Sequence, residues 1–496
     1  MMNKKMNEAI RQLEPIALWN HFADLNAVPR PSKKEERVRE FIQSFGESLK
    51  LPTTTDEVGN VIIKKPATEG MQHKATVVLQ SHLDMVHQKN ADTAFDFDKQ
   101  GINMYVDGDW VKAKGTTLGA DNGIGVASIM TLLASTDIPH PPLEALFTID
   151  EETGMTGALA FKGGLLEGQF MLNLDTEEDN ELTIGCAGGI DVTASGTYAP
   201  IAPINTAAFR ITLKGLTGGH SGVDIHKGRG NANKLMNRCL IILEKEYKIE
   251  IAAIEGGSLR NAIPRESVAD IVVATNKIDS IKKEIKDYQS ILQAEYATTD
   301  PNISISIEAI DSPTQVLPYD FQYKLLRTIY ACPNGIYRMS PDIAGLVQSS
   351  NNVSRIVVKD GAYSIQCLTR SSVDSEKTDL KMAITSVLEL LGADVAYSGE
   401  YPGWTPKPSS PIVKLMSDLY EERYHEKPIV SACHAGLECG ILGTHYPDMQ
   451  MISFGPNIHG AHSPDEKVQI SSVQKYWGFL LETLVRMPNK ELGIRN

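Results

Sequence analysis

Short, mostly apolar runs alternate with helical patterns over the first part of the chain. Residues 76–80, 143–148 and 170–174 are runs of strand length, which predicts buried β-strands. Between the first two runs, apolar side chains recur at i, i+3, i+4 and i+7 across residues 126–133, which predicts one face of a helix. Strands that alternate with helices are typical of an α/β layered sheet.

Residues with chemically capable side chains follow each of these predicted strands. His82 and Asp84 come after the first strand, Glu151 and Glu152 after the second, and Asp175 after the third. In open α/β sheets, ligands bind at the carboxyl ends of the strands. The recurrence therefore indicates a functional site at one edge of the predicted sheet.

A different order of elements begins near residue 196. The predicted elements there form an α+β pattern, and the order helix, strand pair, helix, strand recurs over residues 319–399, which suggests an internal duplication. A further apolar run at 449–454 precedes another polar cluster, as in the first part. We therefore predict an α/β domain with a mixed central sheet flanked by helices, interrupted by an inserted α+β domain. The predicted segments are 1–195, 196–397 and 398–496.

Two of the polar clusters fit metal binding, although each also has a structural explanation. His82 and Asp84 point to the same side of an extended segment, and a metal-bound imidazole usually donates its second N–H to a carboxylate. They could instead face solvent at the end of a strand. Asp121 lies in the glycine-rich turn G-A-D-N-G-I-G, where it could bridge two cations or cap the following helix.

The remaining clusters complete a metal-binding set. Glu151 and Glu152 belong to a run of three acids that repel one another unless cations or protons compensate, although an acidic surface turn is the alternative. His462 follows the last predicted strand in A-H-S-P-D-E, where it could also be purely structural. Two imidazoles and three carboxylates together suit a pair of borderline metals, with zinc the first choice and manganese or cobalt as alternatives.

Composition narrows the class of partner and the compartment. The 496 residues carry a net charge of −14 with no basic run, which argues against nucleic acid or an anionic membrane as the partner. No segment approaches the roughly 20 apolar residues of a membrane span, and residues 1–8 do not resemble a signal core. The six cysteines are scattered without a C-x-x-C pair, which fits free thiols in a reducing compartment. We therefore expect a cytoplasmic protein.

Six short motifs occur in a fixed order along the chain. They are H-L-D-M-V, G-A-D-N-G-I-G, D-E-E-T-G, L-D-T-E-E, G-G-H-S-G and A-H-S-P-D-E. In this order they resemble the co-catalytic zinc peptidases that include carnosinase and carboxypeptidase G, and more closely the bacterial aminoacyl-histidine dipeptidases. The resemblance runs from about residue 18 to residue 477. Each motif is weak alone, whereas the ordered set is highly specific.

The resemblance implies a site for two zinc ions with five protein ligands. Those ligands are His82 and Asp175 on one ion, Glu152 and His462 on the other, and Asp121 as the bridge. The resemblance also implies that Glu151 is the general base, which takes a proton from the attacking water and later delivers it to the leaving amine. Asp84 would orient His82.

The inserted domain resembles the lid domain of the same family. The resemblance implies that His220, in G-G-H-S-G, helps to hold the oxyanion, and in many relatives this histidine comes from the partner subunit. The two glycines before it could also form only a tight connection. Asn261 is implied to contact the substrate, and His434 to line the pocket. Arg370 either pairs with the C-terminal carboxylate of the substrate or forms a surface ion pair.

Together these residues predict a di-zinc metallopeptidase that hydrolyses unblocked dipeptides, including Xaa-His dipeptides. Its expected partner is a small peptide substrate, and homodimer formation is a further expectation. A tripeptide aminopeptidase and an N-acyl amino acid deacylase are alternatives on the same scaffold. A non-catalytic peptide- or metal-binding protein and a purely structural two-domain protein are alternatives of another class.

Overall fold

The computed structural model describes residues 7–490, which contain twelve α-helices and 23 strands. The helices are α1 (Ile16–Leu25), α2 (Glu36–Ser48), α3 (Ala120–Ala134), α4 (Glu151–Gly154), α5 (Thr156–Ala160), α6 (Ala232–Tyr247), α7 (Ile278–Glu295), α8 (Tyr319–Ala331), α9 (Asp374–Glu389), α10 (Pro411–Tyr424), α11 (Glu438–His445) and α12 (Ile470–Arg486). The strands are β1 (Thr53–Thr55), β2 (Val61–Lys65), β3 (Val77–His82), β4 (Met104–Asp107), β5 (Trp110–Ala113), β6 (Leu143–Thr148), β7 (Phe170–Asn173), β8 (Glu181–Cys186), β9 (Gly188–Thr197), β10 (Ala207–Lys214), β11 (Gly219–His220), β12 (Glu250–Gly256), β13 (Ala262–Ile263), β14 (Ser267–Val273), β15 (Ser304–Ala309), β16 (Gly335–Met339), β17 (Val347–Lys359), β18 (Ala362–Ser371), β19 (Asp394–Tyr401), β20 (Ile429–Cys433), β21 (Gln450–Ser453), β22 (Ile458–His459) and β23 (Lys467–Gln469). Residues 1–6 and 491–496 lie outside the described residues. The prediction that residues 1–8 do not resemble a signal core therefore falls mostly outside them.

These elements form two compact units, and unit 2 is inserted into unit 1 along the chain. Unit 2 consists of Cys186–Thr405 and Cys433–Leu437, and unit 1 consists of the other described residues. The predicted boundaries after residues 195 and 397 are therefore misplaced. They fall inside β9 and β19, which pair with each other in the sheet of unit 2 and cannot be divided between units.

Unit 1 is built on an eight-stranded mixed sheet with the order β1-β2-β6-β3-β7-β21-β8-β20. Its four central strands, β6, β3, β7 and β21, run parallel. Every residue of β3, β6 and β7 is buried, as expected for parallel strands that are covered on both faces. The three apolar runs of the sequence become these strands, and the predicted α/β class with a mixed central sheet is confirmed.

Helix α3 covers part of this sheet and lies against β3 and α1. It is buried continuously from Asn122 to Leu133, so it has no polar face toward water. A helix that is apolar all round belongs to the interior of a protein. The helix predicted over residues 126–133 is thus the regular part of α3, and its amino-terminal turn is held inside unit 1.

Unit 2 contains a nine-stranded antiparallel sheet whose main path is β15-β10-β14-β12-β17-β18-β9-β19. The path is symmetric about the β12–β17 pair. On one side, β10, α6, β12, β14, α7 and β15 form one repeat; on the other, β9, α8, β17, β18, α9 and β19 form the second repeat. The recurring order seen in the sequence therefore corresponds to a repeated topology around one large apolar core.

None of the helices in the described residues is long and apolar enough to cross a membrane.

Candidate metal centre

Three neighbouring parallel strands of unit 1 end at the same edge of its sheet. His82 is the last residue of β3, Glu151 and Glu152 follow β6, and Asp175 follows β7. Because β3 pairs with β6 on one side and with β7 on the other, the pleated backbone brings these side chains together. The expected site at the carboxyl edge of the sheet is present in unit 1.

His82 is oriented by Asp84, and both side chains are fully buried. The Nδ1 atom of His82 lies 3.3 Å from Oδ1 of Asp84, which leaves the Nε2 lone pair facing the cluster. The same carboxylate accepts hydrogen bonds from the backbone N–H groups of Glu151 and Glu152, at 3.0 and 3.3 Å. Asp84 therefore fixes the His82 ring and the turn after β6 together, and it does not face solvent.

Asp121 lies between the two histidines. Its Oδ1 is 3.1 Å from Nε2 of His82, and its Oδ2 is 3.2 Å from Nε2 of His462. The backbone at Asp121 and Asn122 is not helical, and the Asp121–Asn122 peptide bond is cis. Because each carboxylate oxygen lies beside an imidazole, the side chain has the arrangement expected of a bridge and not of a helix cap.

Two groups of potential metal ligands share Asp121. In each group the ligand atoms lie within 4.8 Å of one another. The groups are His82, Asp121 and Asp175 in one, and Asp121, Glu152 and His462 in the other. The five residues predicted to bind metal are therefore brought together in the predicted pairing.

Two further groups of the same kind include other acids. One consists of His82, Glu151 and Glu152, so the carboxylate of Glu151 is close to the metal-ligand cluster. The other consists of Glu35, Asp84 and Asp150 on the interior side. The carboxylate of Asp150 accepts hydrogen bonds from the hydroxyls of Thr153 and Thr156, so this acid closes a local turn.

The electrostatics of the cluster favour bound cations. Hydrogen bonds to Asp121 and Glu152 raise the pKa of His462 to about 11, and burial raises the pKa of Asp175 to about 6. Burial also raises the pKa of Glu151 well above its usual range, with Asp175 and Glu152 adding to the effect. Closely packed acids with such shifted pKa values are typical of functional sites.

The donor atoms fit a pair of borderline metals. One carboxylate oxygen of Glu152, Oε1, is buried and has no hydrogen-bond partner among the described residues. A buried carboxylate oxygen without a donor is unfavourable unless a cation satisfies it. The mixture of imidazole nitrogen and carboxylate oxygen matches zinc, with manganese or cobalt as alternatives.

In unit 2, His220 and Arg370 present hydrogen-bond donors to each other. Nδ1 of His220 accepts from the backbone N–H groups of Gly222 and Val223, at 3.2 and 3.0 Å, which places the proton of the neutral ring on Nε2. That Nε2 lies 3.4 Å from Nη2 of Arg370, which can only donate. Burial and Arg370 lower the pKa of His220 to about 4, so the ring stays neutral. Two donors that face each other indicate a place for an acceptor.

Arg370 is buried, with 4% of its surface exposed, so the alternative of a surface ion pair is wrong. Its Nη1 donates to the hydroxyl of Tyr401 at 2.8 Å, and its Nε has no partner among the described residues. His434, also in unit 2, hydrogen-bonds Ser350 at 2.8 Å, and burial lowers its pKa to about 3. The charges of Arg370 and His220 add to this lowering of the His434 pKa, so the three side chains lie close together in unit 2.

Asn261 has an exposed side chain in unit 2. Its backbone carbonyl accepts a hydrogen bond of 2.7 Å from Ser221, the neighbour of His220. The structure therefore places Asn261 beside the His220 turn through the backbone. The predicted contact of its side chain with substrate stays a prediction.

Sequence reasoning missed several buried charged residues of unit 1 that lie near the cluster. They include Arg30, Glu438 and Glu466. Glu438 accepts hydrogen bonds of 2.6 Å from Gln80 and Thr148, and burial raises its pKa to about 7. Glu466 had a visible signal, because it ends the A-H-S-P-D-E motif, whereas nothing in the sequence around Arg30 distinguishes it from a surface arginine.

The fold and this site define a class of hydrolase. Residues 78–486 match the model of the peptidase family M20/M25/M40, and the chain belongs to this family. Over 482 residues the chain is 43% identical to the cytosol non-specific dipeptidase of Escherichia coli strain K12, an alignment that covers 97% of this chain and 99% of that protein. The predicted family and the predicted enzyme class, a hydrolase of peptide bonds, are confirmed.

Solved structures give the same result. The aminoacylhistidine dipeptidase of Vibrio alginolyticus superposes with a TM-score of 0.90 at 44% identity, covering 97% of this chain and 99% of that one. Aminopeptidase PepT of Bacillus cereus shares the fold, with a TM-score of 0.56 at 16% identity over 95% and 98% of the two chains.

Proposed function

We propose that this chain is a cytoplasmic, dinuclear zinc dipeptidase that hydrolyses unblocked dipeptides, including Xaa-His dipeptides. The observation that carries the proposal is the pair of ligand groups that share Asp121, with Glu151 beside them. The two relatives described above at 43% and 44% identity have names that describe them as dipeptidases. The name of the Escherichia coli relative supports the cytoplasmic location.

The proposed residue roles follow from the chemistry of each side chain. His82 and Asp175 would hold one zinc ion, Glu152 and His462 the other, and Asp121 both. When bound, the ions would polarise the scissile carbonyl and lower the pKa of an attacking water. Glu151 would take the proton of that water and deliver it to the leaving amine, and its raised pKa suits this exchange. Asp84 would keep His82 in the tautomer that offers Nε2.

The proposal extends to recognition of the substrate by unit 2. Arg370 would bind the C-terminal carboxylate, because a buried guanidinium whose Nε has no hydrogen-bond partner among the described residues is suited to a bidentate contact. His220 would donate its Nε2 proton to the oxyanion, and Asn261 and His434 would line the substrate site. Homodimer formation stays a prediction, and so does the identity of the subunit that supplies His220. A measurement of the molecular mass in solution tests homodimer formation.

A panel of substrates tests the proposal directly. Apo-protein restored with zinc, manganese or cobalt should cleave unblocked dipeptides and Xaa-His dipeptides, and cleave tripeptides and N-acetyl amino acids much more slowly. Release of free amino acids is measured by chromatography, with the Glu151→Gln protein purified in parallel to detect contaminating peptidases. Preference for tripeptides or for acetylated amino acids would replace the dipeptidase proposal by the corresponding alternative.

Replacing Arg370 with Met should weaken the use of dipeptides that have a free carboxylate. Hydrogen bonds to charged groups contribute about 1.5–3 kcal/mol, so kcat/KM should fall about 10- to 100-fold, mainly through KM. Dipeptide amides, which lack the carboxylate, should be cleaved equally by the variant and the wild type. Arg327→Met, which removes an arginine of unit 2 that pairs with Glu244, is the matched control. An equal loss on both kinds of substrate would remove Arg370 from carboxylate recognition.

A further inference from the structure

The carboxylate of Glu466 is surrounded by backbone N–H groups. It accepts hydrogen bonds of 2.7 and 3.0 Å at Oε2 and of 2.7 and 3.3 Å at Oε1. The donors are four consecutive residues, Leu118, Gly119, Ala120 and Asp121. Glu466 is buried and lies four residues after His462 in the same loop. Glu466 therefore connects the loop that carries His462 to the turn that carries Asp121.

Arg30 binds the same turn from its carbonyl side. Its guanidinium donates to the carbonyl oxygen of Gly119 at 2.5 Å and to those of Leu83 and Asp84, both at 3.1 Å. Asn26 accepts a further hydrogen bond of 3.0 Å. Arg30 is only 1% exposed, so these partners take the place of water. It connects the turn of Asp121 to the segment that follows His82.

The glycines of the turn make room for Arg30. A Cβ atom at Gly119 would lie 2.6 Å from Nη2 of Arg30, and one at Gly123 would lie 2.7 Å from the same atom. Gly119 also has a φ of 70°, which a side chain disfavours. Two of the three glycines of G-A-D-N-G-I-G are thus explained by close approach of an arginine, whereas a Cβ atom at Gly125 would meet Ser81 and Asn122.

We infer that Glu466 and Arg30 are positioning residues. Together they hold the carboxylate of Asp121 at the position from which it contacts both His82 and His462. The inference rests on the proposed dinuclear site and deepens it. Both residues bind Gly119, because Glu466 accepts from its N–H and Arg30 donates to its carbonyl oxygen. Neither residue binds metal or substrate; each acts through the turn.

The arrangement has a physical reason. A carboxylate that must bridge two cations has to keep its place before the cations arrive, although other acids repel it. Fixed backbone hydrogen bonds on one side and a buried cation on the other supply that restraint. The charges of Arg30 and Glu466 also attract each other, which reduces the cost of burying both. The pair therefore couples the fold of the turn to the geometry of the metal site.

Three variants test this inference: Glu466→Gln, Arg30→Met and the double variant. Each single variant removes one of two opposite buried charges, and the double variant removes both, so its thermal stability should recover part of the loss. Glu144→Gln is the matched control, because Glu144 is a buried carboxylate of unit 1 that accepts from the backbone N–H groups of Glu167 and Gly168.

The deciding readout is metal binding. Apo-proteins are titrated with cobalt(II) against a competing chelator, and electron paramagnetic resonance of the loaded proteins reports the magnetic coupling of a bridged pair. We expect the wild type and Glu144→Gln to bind two ions with coupling. The three variants at 466 and 30 should bind about 10- to 100-fold more weakly and lose the coupling, even where the double variant regains stability.

The outcomes separate the two proposals. Wild-type protein that binds fewer than two ions would overturn the proposed function. A normal pair in the wild type together with unchanged affinity and coupling in Glu466→Gln would overturn the inference alone. Two results with the double variant would also overturn the inference: metal binding that recovers together with stability, or failure of the variant to fold. Either result would mean that the two residues stabilise the fold and do not position Asp121.

Discussion

Replacing Glu151 with Gln should lower kcat for dipeptide hydrolysis by about 10²- to 10⁴-fold, the usual contribution of a general base. The substitution keeps the shape of the side chain and removes its ability to accept a proton. Glu151 is close to His82 and Glu152, but the two ligand groups that share Asp121 are complete without it. Metal content should therefore remain at two ions per chain, as measured by elemental analysis of the dialysed protein.

The metal measurement decides between two roles for Glu151. A variant that loses activity and keeps both ions supports the role of base. A variant that loses an ion would make Glu151 a ligand, as its membership of a third group with His82 and Glu152 allows. Glu144→Gln should leave both quantities at wild-type values. Full activity in Glu151→Gln would remove the residue from the mechanism.

Replacing Asp121 with Asn should weaken metal binding strongly, because both ligand groups lose the same carboxylate. Outer partners of metal ligands typically contribute 10- to 100-fold in affinity or activity, and a shared ligand should exceed the upper value of about 100-fold. We expect at least one ion per chain to be lost on dialysis, with activity falling in parallel. Calorimetric titration of the apo-protein with zinc measures the change.

A turn carboxylate away from the site is the control for this variant. Asp56 accepts hydrogen bonds from the backbone N–H groups of Val58, Gly59 and Asn60, between β1 and β2. Asp56→Asn should alter thermal stability without changing the zinc titration. If Asp121→Asn retained two tightly bound ions, the bridging role would be wrong, and the two imidazoles would have to be held by separate acids.

The candidate ligands were accessible to sequence reasoning because they follow strands. His82 and Asp175 stand at or just after the ends of apolar runs, and the parallel pairing of β3 and β7 brings those ends together. The choice among Asp150, Glu151 and Glu152 was harder. Asp150 turns away to bind two threonine hydroxyls, and its left-handed backbone conformation has no clear signature in the acidic run.

Other features depended on contacts between distant parts of the chain. Arg30 is 89 residues from Gly119, and Glu466 is 347 residues from it, so no local pattern could pair them. The buried state of Arg370 was equally hidden, because it depends on the pairing of β18 with β9 and β17. The predicted unit boundaries differ from the observed ones for a similar reason, since β9 joins a sheet with strands that lie far along the chain.

Periodicity and ordered motifs are local properties of the chain, so they were sufficient to predict the α/β class, an inserted domain, the family and a set of candidate metal ligands. The folded structure was needed to show which acids face the cluster, that Asp121 lies between two imidazoles, and that two buried charged residues contact its turn. These depend on which strand ends become neighbours and on which side chains lose water, and both are properties of the folded chain as a whole.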